Sequence, residues 1–162
     1  MTRNPDATIV LPSEDEWYKA AYYDSQSGSY YSYPAGSNIQ TTCSAPNATA
    51  NQANCENRGV FNLTPVGSYS GSAGPFGTFD QGGNAAEWNE TIRGSGGLRA
   101  VRGGSFGGNR LYLAARATDS GYSDTPYAGD LGCRLAMIPE PSTGLLVITG
   151  LLGLAGWRRV SA

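Results

Sequence analysis

The stretch "FDQGGNAAEWNE", residues 79–90, sets two glycines and an asparagine just ahead of an adjacent carboxylate and tryptophan. Alternation along a strand sends Glu87 and Trp88 to opposite sides, so with Trp88 packed in the core Glu87 faces something that needs a charge. Composition restricts what that partner is. The chain has no histidine, which removes Ser-His-Asp and Cys-His nucleophiles, the usual zinc sites and the iron facial triad. Any metal here is hard and oxygen-bound. Ten of the eleven basic residues are arginine, which suits bidentate pairing with carboxylates, and a buried ion pair of Glu87 with Arg102 or Arg134 is one reading of the stretch.

The remaining reactive side chains are Cys43, Cys55 and Cys133. The first two lie in a polar segment, where either a disulfide of an exported protein or two unpaired thiols is consistent with the pattern. "RGGS", Arg102 to Ser105, has the look of a phosphate loop but falls in a strand rather than ahead of a helix, so close packing is the better account. Tyrosines between Tyr22 and Tyr33, interleaved with Ser and Gly, have the composition of an adaptable binding surface, with loop packing as the alternative.

Local elements must position these groups. Ser13 with Glu16 three residues on forms a capping box, Glu14 and Asp15 put negative charge in the first turn, and Trp17, Ala20 and Ala21 follow at helical spacing. This predicts a helix from about Glu14 to Tyr23. Residues 24–59 show no sustained period and read as long loops. Strand candidates follow at "VFNLTPVGSY", "RAVRGGSF", "RLYLAARAT" and "GCRLAMI", and in the third Leu111, Leu113 and Ala115 share one face. One helix, short strands and long connections give the α+β class, loop-rich in keeping with 23 glycines among 162 residues. That length suits one domain with a short appendage. A net charge of −2 without a clustered basic face sets nucleic-acid partners aside.

The appendage is "PEPSTGLLVITGLLGLAGWRRVSA", in which no charge falls between Ser142 and Trp157. At ~1.5 Å per residue that run reaches roughly 24 Å, a little short of a ~30 Å hydrocarbon core. A hydrophobic helix over about 142–157, with Trp157 at the interface and Arg158 and Arg159 on the cytoplasmic side, makes a marginal transmembrane span. A buried core helix is the alternative, disfavoured by the arginine pair and by the lack of a polar face.

Pro139-Glu140-Pro141, the apolar run and Arg158-Arg159 together resemble the bacterial exosortase sorting signal named PEP-CTERM. That resemblance implies export, anchoring in the inner membrane, processing by an exosortase-type enzyme and delivery to the cell surface or extracellular matrix. Residues 1–137 resemble the second half of the domain shared by formylglycine-generating enzymes and the sulfatase-modifying factor family, with its irregular C-type-lectin-like core. "LPSEDEWYKAA", "DQGGNAAEW", "RAVRGGSF" and "DLGCRLA" carry the likeness in the family's order. The family's first half has no counterpart ahead of Met1 and no signal peptide is visible, so an N-terminally truncated domain is expected over 1–137, with the sorting signal over 138–162.

The same resemblance implies a structural calcium ion held by the Asp80 side chain, the Gly83 and Ala85 carbonyls and the Glu87 carboxylate, with Trp88 in the core. A second family site would fall at Asn51 or Asn54. Catalytic members oxidise a substrate cysteine with copper and a cysteine pair that follows the RGGS strand. Here that interval, "FGGNRLYLAARA", has no cysteine, and Cys133 takes the place of an aromatic, as a small packed side chain rather than a nucleophile. The expectation is a non-catalytic, calcium-stabilised surface protein that binds a matrix polysaccharide or another surface protein. A formylglycine-generating oxidoreductase acting on protein cysteine, or a truncated remnant without independent function, are the alternatives.

Overall fold

The structure is a computed structural model that describes residues 3–58, 60–93, 97–117 and 129–138. Pro139, Glu140, Pro141, Arg158, Arg159 and the hydrophobic run at 142–157 lie outside the described residues. Among the described residues no helix is long and apolar enough to cross a membrane. The chain divides into two compact units, one from its two ends and one spanning Leu11–Arg134. In the first, β1 (Ile9–Val10) pairs antiparallel with β9 (Ala136–Met137), Ile9 opposite Met137, and the Ile138 amide donates to the Thr8 carbonyl at 2.9 Å.

Among its described residues the larger unit is mixed and sheet-rich, with one α-helix, α1 (Glu14–Tyr22). Ser13 caps it as the sequence predicts: the Glu16 amide donates to Ser13 Oγ at 3.2 Å while the Ser13 amide donates to Glu16 Oε2 at 2.7 Å. Trp17, Ala21 and Tyr22 form its buried face. The main sheet is three-stranded, in the order β7 (Leu98–Arg102), β6 (Ala86–Arg93), β8 (Leu131–Cys133). β6 is antiparallel to β7 and parallel to β8, so it joins segments far apart in sequence. Two-residue pairs complete the unit: β2 (Tyr23–Asp24) with β3 (Ser29–Tyr30) as a hairpin, and β4 (Thr42–Cys43) parallel to β5 (Gln52–Ala53).

Two strand expectations fail. "RLYLAARAT" begins as a 3-10 helix, Arg110–Leu113, because Asn109 caps it through a hydrogen bond from the Leu111 amide at 2.8 Å. Leu113 is therefore buried while Leu111 and Tyr112 are exposed, and no common face forms. "VFNLTPVGSY" contains no strand. Phe61, Leu63 and Val66 are exposed, and Thr64 is held instead by the Asn84 side chain, whose Oδ1 accepts the Thr64 amide at 2.8 Å.

Large apolar side chains are scarce inside this unit. One core cluster is Trp17, Ala21 and Tyr22; the other gathers Tyr33, Cys43, Ala53, Cys55, Leu113 and Ala114. Around them Asn54, Asn84, Glu87, Asn89 and Arg102 are also buried. Buried polar groups cost free energy unless they are hydrogen-bonded, so their pairing decides whether the fold stands.

Candidate functional site

α1 packs on β6, and the contact is built around a carboxylate. Glu87 is 7% exposed and Trp88 is 44% exposed. The two residues do take opposite sides of the strand, with the expected environments exchanged, because Trp17 of α1 fills the core position instead. Trp17 is fully buried, and its Nε1 donates to Glu87 Oε2 at 2.6 Å. Arg134, directly after β8, closes the carboxylate: Nε donates to Oε2 at 2.5 Å, Nη2 to Oε1 at 2.6 Å, and Nη2 also to the Phe79 carbonyl at 3.2 Å. The parallel register that sets Glu87 beside Gly132 delivers Arg134 to this place. Arg102 stands opposite Glu87 in the antiparallel register, yet its guanidinium turns to Glu14.

Glu14 is a second hub that local reading of the sequence reduces to helix-end charge. Arg102 Nε and Nη2 donate to its Oε1 at 2.9 and 2.5 Å, Arg93 Nε donates to Oε2 at 3.1 Å, and Arg93 Nη2 also bonds it. Burial pushes the Glu14 carboxyl up, but the hydrogen bonds and charges of Arg93 and Arg102 outweigh it and hold the group below its ordinary value. Arg102 Nη1 continues to the Ala115 and Ala117 carbonyls, so one buried guanidinium ties α1, β7 and the segment after the 3-10 helix. Only the abundance of arginine signals this in the sequence, since the partners are about eighty or more residues apart.

The four positions implied for calcium are placed as follows. Asp80 has φ 57° and its Oδ2 accepts the Gly67 amide at 2.7 Å. Gly83 has φ 77°, and a Cβ there would lie 2.4 Å from the Asn54 carbonyl oxygen, so its glycine serves a close backbone approach. Ala85 directly precedes β6. A cation on Glu87 would have to take oxygens already engaged by a guanidinium that repels it, so this donor set does not fit calcium. Asn51 and the amide nitrogen of Asn54 are also in structural use. Asn51 bonds Thr41 Oγ1 at 2.9 Å, and Asn54 Nδ2 donates to the Asn62 carbonyl at 2.9 Å and to Asn84 Oδ1 at 3.2 Å.

The cysteines separate into two kinds. Cys43 and Cys55 form a disulfide with Cα atoms 5.0 Å apart, which decides between the two readings of that pair. Cys133 is a free thiol and is exposed on β8 beside Trp88, not packed as expected, because the outer face of this sheet has no covering element among the described residues at that point.

A groove lies on the other side of α1. Tyr18, Tyr30, Tyr31 and Tyr33 line it with Asn38 and Arg116, and its volume is about 400 Å³. Tyr18 packs tilted against Tyr22 and Tyr30 at 4.9 and 5.3 Å between ring centroids, and Tyr30 against Tyr23 at 5.1 Å across the β2–β3 hairpin. The Arg102 guanidinium sits 5.5 Å from the Tyr18 ring centre. At the far side the Ala115 amide donates to the Ser32 carbonyl at 2.9 Å and the Ser32 amide to Asn38 Oδ1 at 3.0 Å. The tyrosine-rich stretch thus both packs and lines an open groove.

The model of the sulfatase-modifying factor enzyme 1-like domain matches residues 7–138. Among solved structures, Treponema denticola variable protein 1 is similar at 25% identity and a TM-score of 0.59, covering 81% of this chain and 48% of its own. CarF shares the fold at 23% identity and a TM-score of 0.52, with 85% and 50% covered. The chain therefore spans about half the length of these structures. No curated protein matches it. With the matched region taking in α1, the β7–β6–β8 sheet and Arg134, the chain belongs to the sulfatase-modifying factor enzyme 1-like domain family.

Proposed function

We propose that this chain is an exported, surface-anchored binding or structural protein, non-catalytic, on a lectin-like scaffold held by buried arginine–carboxylate pairs. The observation that carries the reading is the state of its cysteines. Two are locked together as Cys43–Cys55, and Cys133 is alone, so no thiol pair is available for cysteine oxidation of the formylglycine type. With no histidine in the chain, the usual imidazole base for a lone thiolate is missing too. A disulfide is also in keeping with an oxidising compartment, as export through the Pro139-Glu140-Pro141 signal and an exosortase-type enzyme requires.

The test is chemical. The purified full chain is incubated with copper, oxygen and a cysteine-containing peptide of sulfatase type, and the peptide mass is followed. Unchanged peptide is the expected result; conversion of its cysteine to an aldehyde overturns the proposal. Delivery is tested separately by replacing Pro139-Glu140-Pro141 with alanines, which should leave the protein in the inner membrane.

A further inference from the structure

Resting on the reading of a binding protein, we propose that the tyrosine groove is its ligand site and that the ligand is an acidic oligosaccharide. Its volume of about 400 Å³ falls in the range of small-molecule sites, ~300–1,000 Å³. The lining chemistry is selective. A pyranose ring offers a flat face of C–H groups edged by hydroxyls, and tyrosine offers the complement, an apolar ring face with a polar tip. Tyr30 is 48% exposed, so part of its ring is open to a ligand, while its ring contacts with Tyr18 and Tyr23 hold it in place beforehand. Ordering these rings before binding lowers the entropy cost of association.

Peptide binding fits less well. Among the described residues the lining has no aliphatic side chain larger than Ala114 and Ala115, which offer no pocket for an anchoring apolar residue. Sign comes from Arg116, among the described residues the one charged residue of the lining, which is exposed and has no ion-pair partner among them. Among the described residues no carboxylate lines the groove. A guanidinium of this kind pairs bidentately with a carboxylate, which a uronic acid supplies and a neutral sugar does not.

The experiment is calorimetric titration of the full chain, in a detergent without a sugar headgroup, with tetragalacturonate and with cellotetraose as neutral probe. Wild type should bind the acidic probe at least roughly tenfold more tightly than the neutral one. Arg116→Ala should abolish that preference, Tyr30→Ala should weaken both ligands roughly tenfold, and Tyr30→Phe should bind as wild type. Thermal unfolding of each variant checks the fold. No binding by wild type, equal binding of the two probes, or binding indifferent to both alanine substitutions overturns the assignment. Such a failure with the cysteine peptide left unchanged removes the saccharide inference alone; peptide oxidation removes the underlying reading as well.

Discussion

Glu87 receives three donors, two from Arg134 and one from Trp17. Removing one partner of a buried pair leaves the other charge uncompensated, so Glu87→Ala should lower stability by about 3 kcal/mol, read from the midpoint of urea unfolding. Glu87→Gln should cost less, since its amide oxygen still accepts from the indole. Exchanging millimolar calcium for chelator should leave the wild-type midpoint where it is. Glu56 gives a pH dependence. Hydrogen bonds from Arg110, Nε to Oε1 at 2.8 Å and Nη2 to Oε2 at 2.6 Å, hold its carboxyl down to about 2. Because the unfolded chain binds this proton more readily, the contribution is complete above the ordinary value of 4.5 and is lost as pH falls from there to about 2. Urea midpoints measured over that range should fall for wild type and fall less for Glu56→Gln. At this scale the sequence was half legible: that Glu87 and Trp88 part company follows from strand geometry, whereas which of them goes inside depends on Trp17, seventy residues away.

Elements whose causes are local could be foreseen. The capping box delimits α1 because Ser13 and Glu16 satisfy each other's backbone within one turn. β6 was obscured because Glu87 and Asn89 point inward while Trp88 and Ile92 point out, the reverse of the hydrophobic pattern by which strands are recognised. The 3-10 helix was lost in the same way, since the cap at Asn109 overrides alternation in the residues after it. The glycines ahead of β6 have a packing reason. At Gly83 both the positive φ and the 2.4 Å approach to the Asn54 carbonyl oppose a side chain. Gly83→Ala should therefore destabilise by about 2–4 kcal/mol, combining backbone strain with overpacking, and should show as a lowered melting temperature.

For the molecule as a whole, the scarcity of large buried apolar residues shifts weight onto ion pairs, amide networks and the disulfide. Cys43–Cys55 joins the parallel β4–β5 pair to the cluster around Leu113. Its removal, as Cys43→Ser with Cys55→Ser, should cost about 3 kcal/mol, and a reductant should lower the wild-type melting temperature to that of the double variant. Family membership was legible because short motifs survive in order; the pairing of Glu14, Arg93 and Arg102 was not, because distance along the chain hides it. Those long separations also set a timetable for synthesis. Glu87 and Arg134 are 47 residues apart, which at ~5–20 residues per second is a wait of roughly two to nine seconds. Throughout that interval the nascent chain holds an anionic core residue without the guanidinium that receives it in the folded state. A ribosome stalled after residue 117 should thus display a chain that protease still cuts freely, and resistance should arrive only once Arg134 has cleared the exit tunnel.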